Sequence, residues 1–169
     1  MEEAWQRSSE PLVVCSRGSL VELVTVLPAS GKFVVARLDG TRMTEANQVF
    51  YDFSDSLFFP SYFGWNWDAL SDCLRDLHWL PADGYLVIVD NAPQLLPDSA
   101  PDQRTLFRVL AHAVRHWSGA GGRPEGRAIP FTVLLLCDHE EEAVHLRQAV
   151  DQALHETRWS TFPTDPPGR

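Results

Sequence analysis

Cysteine is scarce in this chain: Cys15, Cys73 and Cys137 each lie inside or close an apolar run, and no two have paired spacing. That pattern excludes a disulfide framework and a zinc ribbon, and reads the three thiols as small core side chains. Long apolar runs are missing too, since none approaches the roughly 20 residues a membrane-spanning helix needs. Met1 is followed by Glu2, Glu3 and Trp5 instead of a basic stretch and an apolar core. A secretory signal is therefore not expected, and the expected location is the cytoplasm. Positive charge is in deficit: 14 Lys and Arg stand against 23 Asp and Glu, a formal net charge of −9. This balance argues against a phosphate backbone as partner and favours a basic protein, with no nucleic acid or membrane partner expected.

The usual catalytic constellations are missing or incomplete. Gly121-Gly122-Arg123-Pro124-Glu125-Gly126 precedes a strand instead of joining a strand to a helix N-terminus, so it cannot cradle phosphates and reads as a flexible loop. His112 and His116 sit one helical turn apart, but nothing at comparable spacing completes a metal shell, and they read as surface histidines. Cys137-Asp138-His139-Glu140 places a thiol and an imidazole near a strand's C-terminal end, where α/β active sites gather. Cys137 is more simply the last core side chain of its strand, with Glu140 opening the next helix. No enzyme, cofactor or metal follows from these residues.

What is present is an alternation of strands and helices. Leu12–Cys15 suits a short strand; Ser19-Leu20-Val21-Glu22 fits a capping box before a short helix ending at Pro28, although 23–27 would serve equally as a strand. Phe33–Leu38, Tyr85–Val89 and Phe131–Cys137 read as strands, the last two apolar throughout, as strands covered on both faces are. Helices are expected from a Thr44 cap to Leu57, from Asn66 to Leu77, from about Asp102 to Trp117 and from about His139 to Arg158. Residues 118–130 read as a mobile loop and 160–169 as a frayed tail. At 169 residues the chain suits one domain, an α/β layer with a small, mainly parallel sheet covered by helices.

The densest signal runs from Pro60 to Leu77. Tyr62 to Trp67 sets four aromatic residues around Gly64 and Asn66, a good lead-in to a helix that Asn66 can cap. Trp67, Leu70, Cys73, Leu74 and Leu77 then form one apolar stripe. Asp68, Asp72 and Asp76 recur at four-residue steps on the far side, with Ser71 and Arg75 beside them. Like charges so placed repel by a few tenths of a kcal/mol. The helix dipole explains Asp68 but not the continuation of the row towards the C-terminus. Among the six tryptophans, Trp67 and Trp117 read as core, while Trp65 either stands out as an interface anchor or folds back over the helix start.

The run Pro60, Tyr62-Phe63-Gly64, Asn66, Asp68-Ala69-Leu70, Asp72-Cys73-Leu74 resembles the signature of the barstar family, small intracellular inhibitors of barnase-like secreted ribonucleases. The similarity extends from roughly Lys32 to Asp138. It implies three parallel strands, with the acidic helix on the exposed side, and the sheet is expected to have three strands or four. It also implies a 1:1 complex with a basic ribonuclease, the free protein being a monomer. Tyr62, Asn66, Asp68 and Asp72 carry over as contact positions, with Asp72 dominant and Tyr62 covering the nuclease's catalytic histidine. Together with Trp65, Ser71 and Asp76 they form the expected partner-binding set.

Three departures from the family pattern stand out. Ser71 occupies a position where many members have tryptophan, Arg75 interrupts the acidic row, and a further acidic contact has only ambiguous matches at Asp98 and Asp102. The expected organisation is an N-terminal extension over 1–31, a barstar-like domain over 32–138, a C-terminal helix over 139–159 packed on it, and the tail.

Overall fold

The computed structural model of the chain describes residues 11–19, 31–119 and 129–156. In chain order these form β1 (Val13–Ser16), β2 (Phe33–Asp39), α1 (Ala46–Ser56), α2 (Trp67–Asp76), β3 (Gly84–Asp90), α3 (Ala100–Ser118), β4 (Phe131–Cys137) and α4 (Glu140–His155). Short 3-10 turns follow β1 and β3. The four strands make one parallel sheet in the order β1-β4-β3-β2. The fourth strand is thus supplied by the N-terminal run, which lines up on β4 with Val13 opposite Leu134. The readings of 20–28, 120–128 and 160–169 lie outside the described residues, as do Trp5 and Trp159.

Strand β3 is buried almost throughout, and its apolar run follows from that position between β4 and β2. Alternation along the strands divides their side chains between two faces. Ala36, Leu38, Tyr85, Val87, Val89, Phe131, Val133, Leu135 and Cys137 join the apolar sides of all four helices in the main core. Cys15, Leu86, Leu134 and Leu136 form a smaller apolar cluster on the other face. All three cysteines are free and buried, as their apolar settings imply.

Helix starts shift by a residue or two from the sequence expectation. α1 is preceded by Glu45, not Thr44, in an extended conformation with no side-chain cap. α3 begins before Asp102 because Ser99 is its cap, accepting the Asp102 amide while donating its own hydroxyl to that carboxylate. The terminal pieces belong to the same packed body. Arg147 of α4 donates to the Val14 carbonyl of β1 at 3.3 and 3.2 Å and pairs with Glu140 at 2.9 Å.

Candidate functional site

α2 is held in place from both ends and from beneath. At its start Asn66 Oδ1 accepts from the Ala69 amide at 2.8 Å, the cap expected from the sequence. At its end Leu77 adopts the left-handed conformation (φ 46°) and its amide bonds the Cys73 carbonyl. Such a stop usually falls to glycine, so a leucine here is retained by its burial, which is essentially complete. Trp117 of α3 donates its indole N–H to the Leu74 carbonyl at 2.8 Å, satisfying a helix-end acceptor inside the core. Leu70, Cys73 and Leu74 are buried below.

The lead-in loop is fixed by rings. Phe63 lies edge-on to Phe59 at 5.0 Å and to Phe50 at 6.4 Å, and Phe50 meets Trp67 at 4.9 Å. Trp79 adds a contact to Phe59 and bonds the Leu57 carbonyl at 3.0 Å. Gly64 sits so close to the helix that a Cβ there would stand 3.3 Å from the Ala69 methyl. Trp65 takes a positive φ of 54°, a strained state for a bulky residue, costing on the order of 1 kcal/mol or more. Its ring leans on Phe63 at 5.1 Å yet keeps 52% of its surface exposed. Trp65 therefore folds back on Phe63 and still presents an open face.

On this frame Tyr62, Trp65, Asn66, Asp68, Asp72 and Asp76 are all exposed. Tyr62 is 65% exposed, and partial desolvation followed by the Asp76 carboxylate pushes its phenol above the ordinary range. Asp68, in the first turn, is exposed and has no ion-pair partner among the described residues. Asp72 keeps 71% of its side chain exposed although Arg75 Nη2 reaches its carboxylate. Asp76 pairs with His78 at 2.9 Å and stays half exposed.

Ser71 departs from the expectation. It is only 5% exposed, because α3 packs against α2 here and brings His112 Nδ1 to 3.5 Å from its hydroxyl. Ser71 is thus a contact between two helices and not part of the outward ridge. Its carbonyl accepts from Arg75 Nε at 3.2 Å, which steers that guanidinium towards Asp72. His112 is exposed, as the surface reading expects, and no spacing along α3 signals that it lies beside Ser71. Of the two ambiguous acids, Asp102 is engaged in capping α3, whereas Asp98 is exposed.

The alternative chemistry at Cys137 finds no support in the geometry. Cys137 is fully buried, and desolvation, followed by Glu142, pushes its thiol up to about 11, so the thiolate a nucleophile needs is suppressed. Among the described residues no group of three His, Cys, Asp or Glu is placed to hold a metal ion, and no helix is long and apolar enough to cross a membrane.

Comparison with curated proteins and with solved structures yields no match. The sequence does match a family model described as Barstar (barnase inhibitor), over residues 33–136. That span runs from the first residue of β2 almost to the end of β4 and takes in the capped helix with its aspartates, well over half of the chain, and the protein belongs to the barstar family.

Proposed function

We propose that this chain inhibits a basic, secreted, barnase-like ribonuclease, binding it 1:1 in the cytoplasm and closing its active site with α2. A ribonuclease cleft is lined by cations that hold phosphates. Carboxylates on successive turns of a rigid helix can occupy those positions and accept paired hydrogen bonds from arginine. The observation that carries this reading is the exposure of Asp68 and Asp72 on a helix immobilised by Asn66, Leu77 and Trp117. Because the helix is already fixed, little ordering entropy opposes binding. Tyr62 and Trp65 flank the carboxylates as aromatic anchors, and the net charge of −9 steers a basic partner towards them. In this reading residues 32–138 are the inhibitory unit, and the flanking segments support it.

A second reading, a barstar-fold module for some other basic protein, is favoured by the Arg75–Asp72 pair, which partly occupies the carboxylate expected to dominate. Calorimetric titration of barnase and barnase-type ribonucleases with the full chain separates the two. Tight 1:1 binding with loss of nuclease activity supports inhibition; binding to other basic proteins with no inhibition of any of these enzymes supports the module.

A further inference from the structure

The ground beside the acidic ridge is basic. Arg75 donates to the Ser71 carbonyl and reaches Asp72, and Ser71 lies against His112. His112, Arg115 and His116 recur at three- and four-residue steps and so share one face of α3. His112 and Arg115 are exposed, and His116 is partly so. Arg75, Arg115 and His116 all lie close enough to His112 to act on it. After desolvation, the positive charges of Arg75, His116 and Arg115 are what lower the proton affinity of His112, with Asp72 opposing them. Arg115 has no carboxylate partner among the described residues, and the only one Arg75 has is Asp72. Arg75 lies in the last turn of α2 and Arg115 and His116 in the last turn of α3, where the helix dipole favours a cation, but the dipole does not require these groups to be set side by side across two helices, and a chain of net charge −9 does not need them for solubility.

We propose that Arg75, His112, Arg115 and His116 form the second half of the partner-facing surface and receive an acidic patch bordering the cationic cleft of the nuclease. This rests on the reading of α2 as the inhibitory helix. The arrangement is an exchange of ion pairs. In the free protein Arg75 occupies Asp72; in the complex a carboxylate of the partner takes Arg75 and Arg115, and Asp72 turns to the partner's cations. An exposed pair like Arg75–Asp72 contributes roughly 0–1 kcal/mol, so giving it up costs little. Alternating charge across the two helices also sets the register of docking, since a partner shifted sideways would meet like charges.

The test turns on opposite signs. Arg115→Glu and Arg115→Ala, both at an exposed position, are compared with the wild-type full chain by stopped-flow and calorimetry against barnase and barnase-type ribonucleases at two salt concentrations. Circular dichroism melting confirms that each variant is folded. If the strip docks on carboxylates, Arg115→Glu weakens the complex by about tenfold or more, and Arg115→Ala by less. If the strip merely faces solvent, the added negative charge speeds encounter with a basic enzyme and affinity stays level or rises; that overturns the proposal and leaves the ridge intact. A wild-type chain that binds none of these ribonucleases overturns the inhibitory reading and the strip with it.

Discussion

Two groups of carboxylates among the described residues are treated in opposite ways. At the C-terminal ends of the strands Asp90 takes Arg37 at 2.6 and 3.2 Å and Arg17 at 3.2 Å, and Arg17 also holds Asp138 at 2.7 Å. Asp39 accepts from Asn91 and twice from Thr41, bonds that hold its carboxyl below the ordinary range. Asp52 is buried with Arg42 at 3.7 Å. Along α2, by contrast, three aspartates are exposed, Asp68 without a pair and the others each sharing one neighbour. Carboxylates that fasten the fold are surrounded by donors from several elements. Those on α2 have at most one neighbour each from the helix end or the turn after it, and they stay open to solvent, which is what the proposed inhibitory role requires of them.

The sharpest break of this contrast is Asp72→Ala. It should cost at least about 2 kcal/mol of complex stability with a cognate ribonuclease, as a central hot spot does. The free protein should change by no more than about 0.5 kcal/mol, because only an exposed pair is lost. Titration calorimetry and thermal melting of the same variant read the two quantities, and equal affinities for wild type and variant would remove Asp72 from the site.

Asp90→Ala should invert the pattern. It strands two arginines at the sheet end and should lower folding stability by about 1–2 kcal/mol, since both guanidinium groups can still turn to water. Affinity for the nuclease should stay unchanged. A denaturant melt beside an inhibition assay checks both, and a loss of affinity without a loss of stability would mean that the strand end is itself a binding surface.

Arg75→Ala probes the boundary between the two treatments. If the strip contributes nothing, freeing Asp72 strengthens the ridge and association with a basic nuclease quickens a few-fold, most visibly at low salt. If Arg75 receives a partner carboxylate, the faster encounter is offset by faster dissociation. Stopped-flow rates separate these outcomes where equilibrium affinity alone would blur them.

How much of this was legible in the sequence depends on how local the cause is. The Asn66 cap, the apolar stripe of α2 and the outward row of aspartates follow from spacing along one helix, and the structure has them where spacing put them. β3 and β4 announced themselves by unbroken apolar runs. The burial of Ser71 was not legible, because its helical position is next to the polar face and only the crossing of α3 covers it. Arg75 is different: it returns to Asp72 and to the Ser71 carbonyl at three- and four-residue steps within α2, contacts that the spacing allowed. The Ser99 cap moved the start of α3 because Pro101, tolerated in a first turn, resembles a breaker in the sequence. The crossing of α3 over α2 decides the burial of Ser71, and pattern along α2 carries no record of it.

The smallest effect concerns pH and belongs to His112, where α3 meets α2. Its folded-state proton affinity is lowered from the ordinary 6.5, first by desolvation and then by Arg75, His116 and Arg115, with Asp72 acting the other way. A histidine of this kind binds its proton more readily in the unfolded chain, so stability is unaffected while the ring is neutral in both states and declines as pH falls below about 6.5. His112→Gln should therefore flatten the pH dependence of the melting temperature between pH 7.5 and 5 without changing it at the upper end. The complex should respond in the opposite sense. A partner carboxylate seated on the strip favours the imidazolium, so acidification tightens wild-type binding relative to His112→Gln even as it loosens the free protein. Melts and titrations run over the same pH series give two slopes of opposite sign for the wild type, and two slopes of the same sign would place His112 outside the interface.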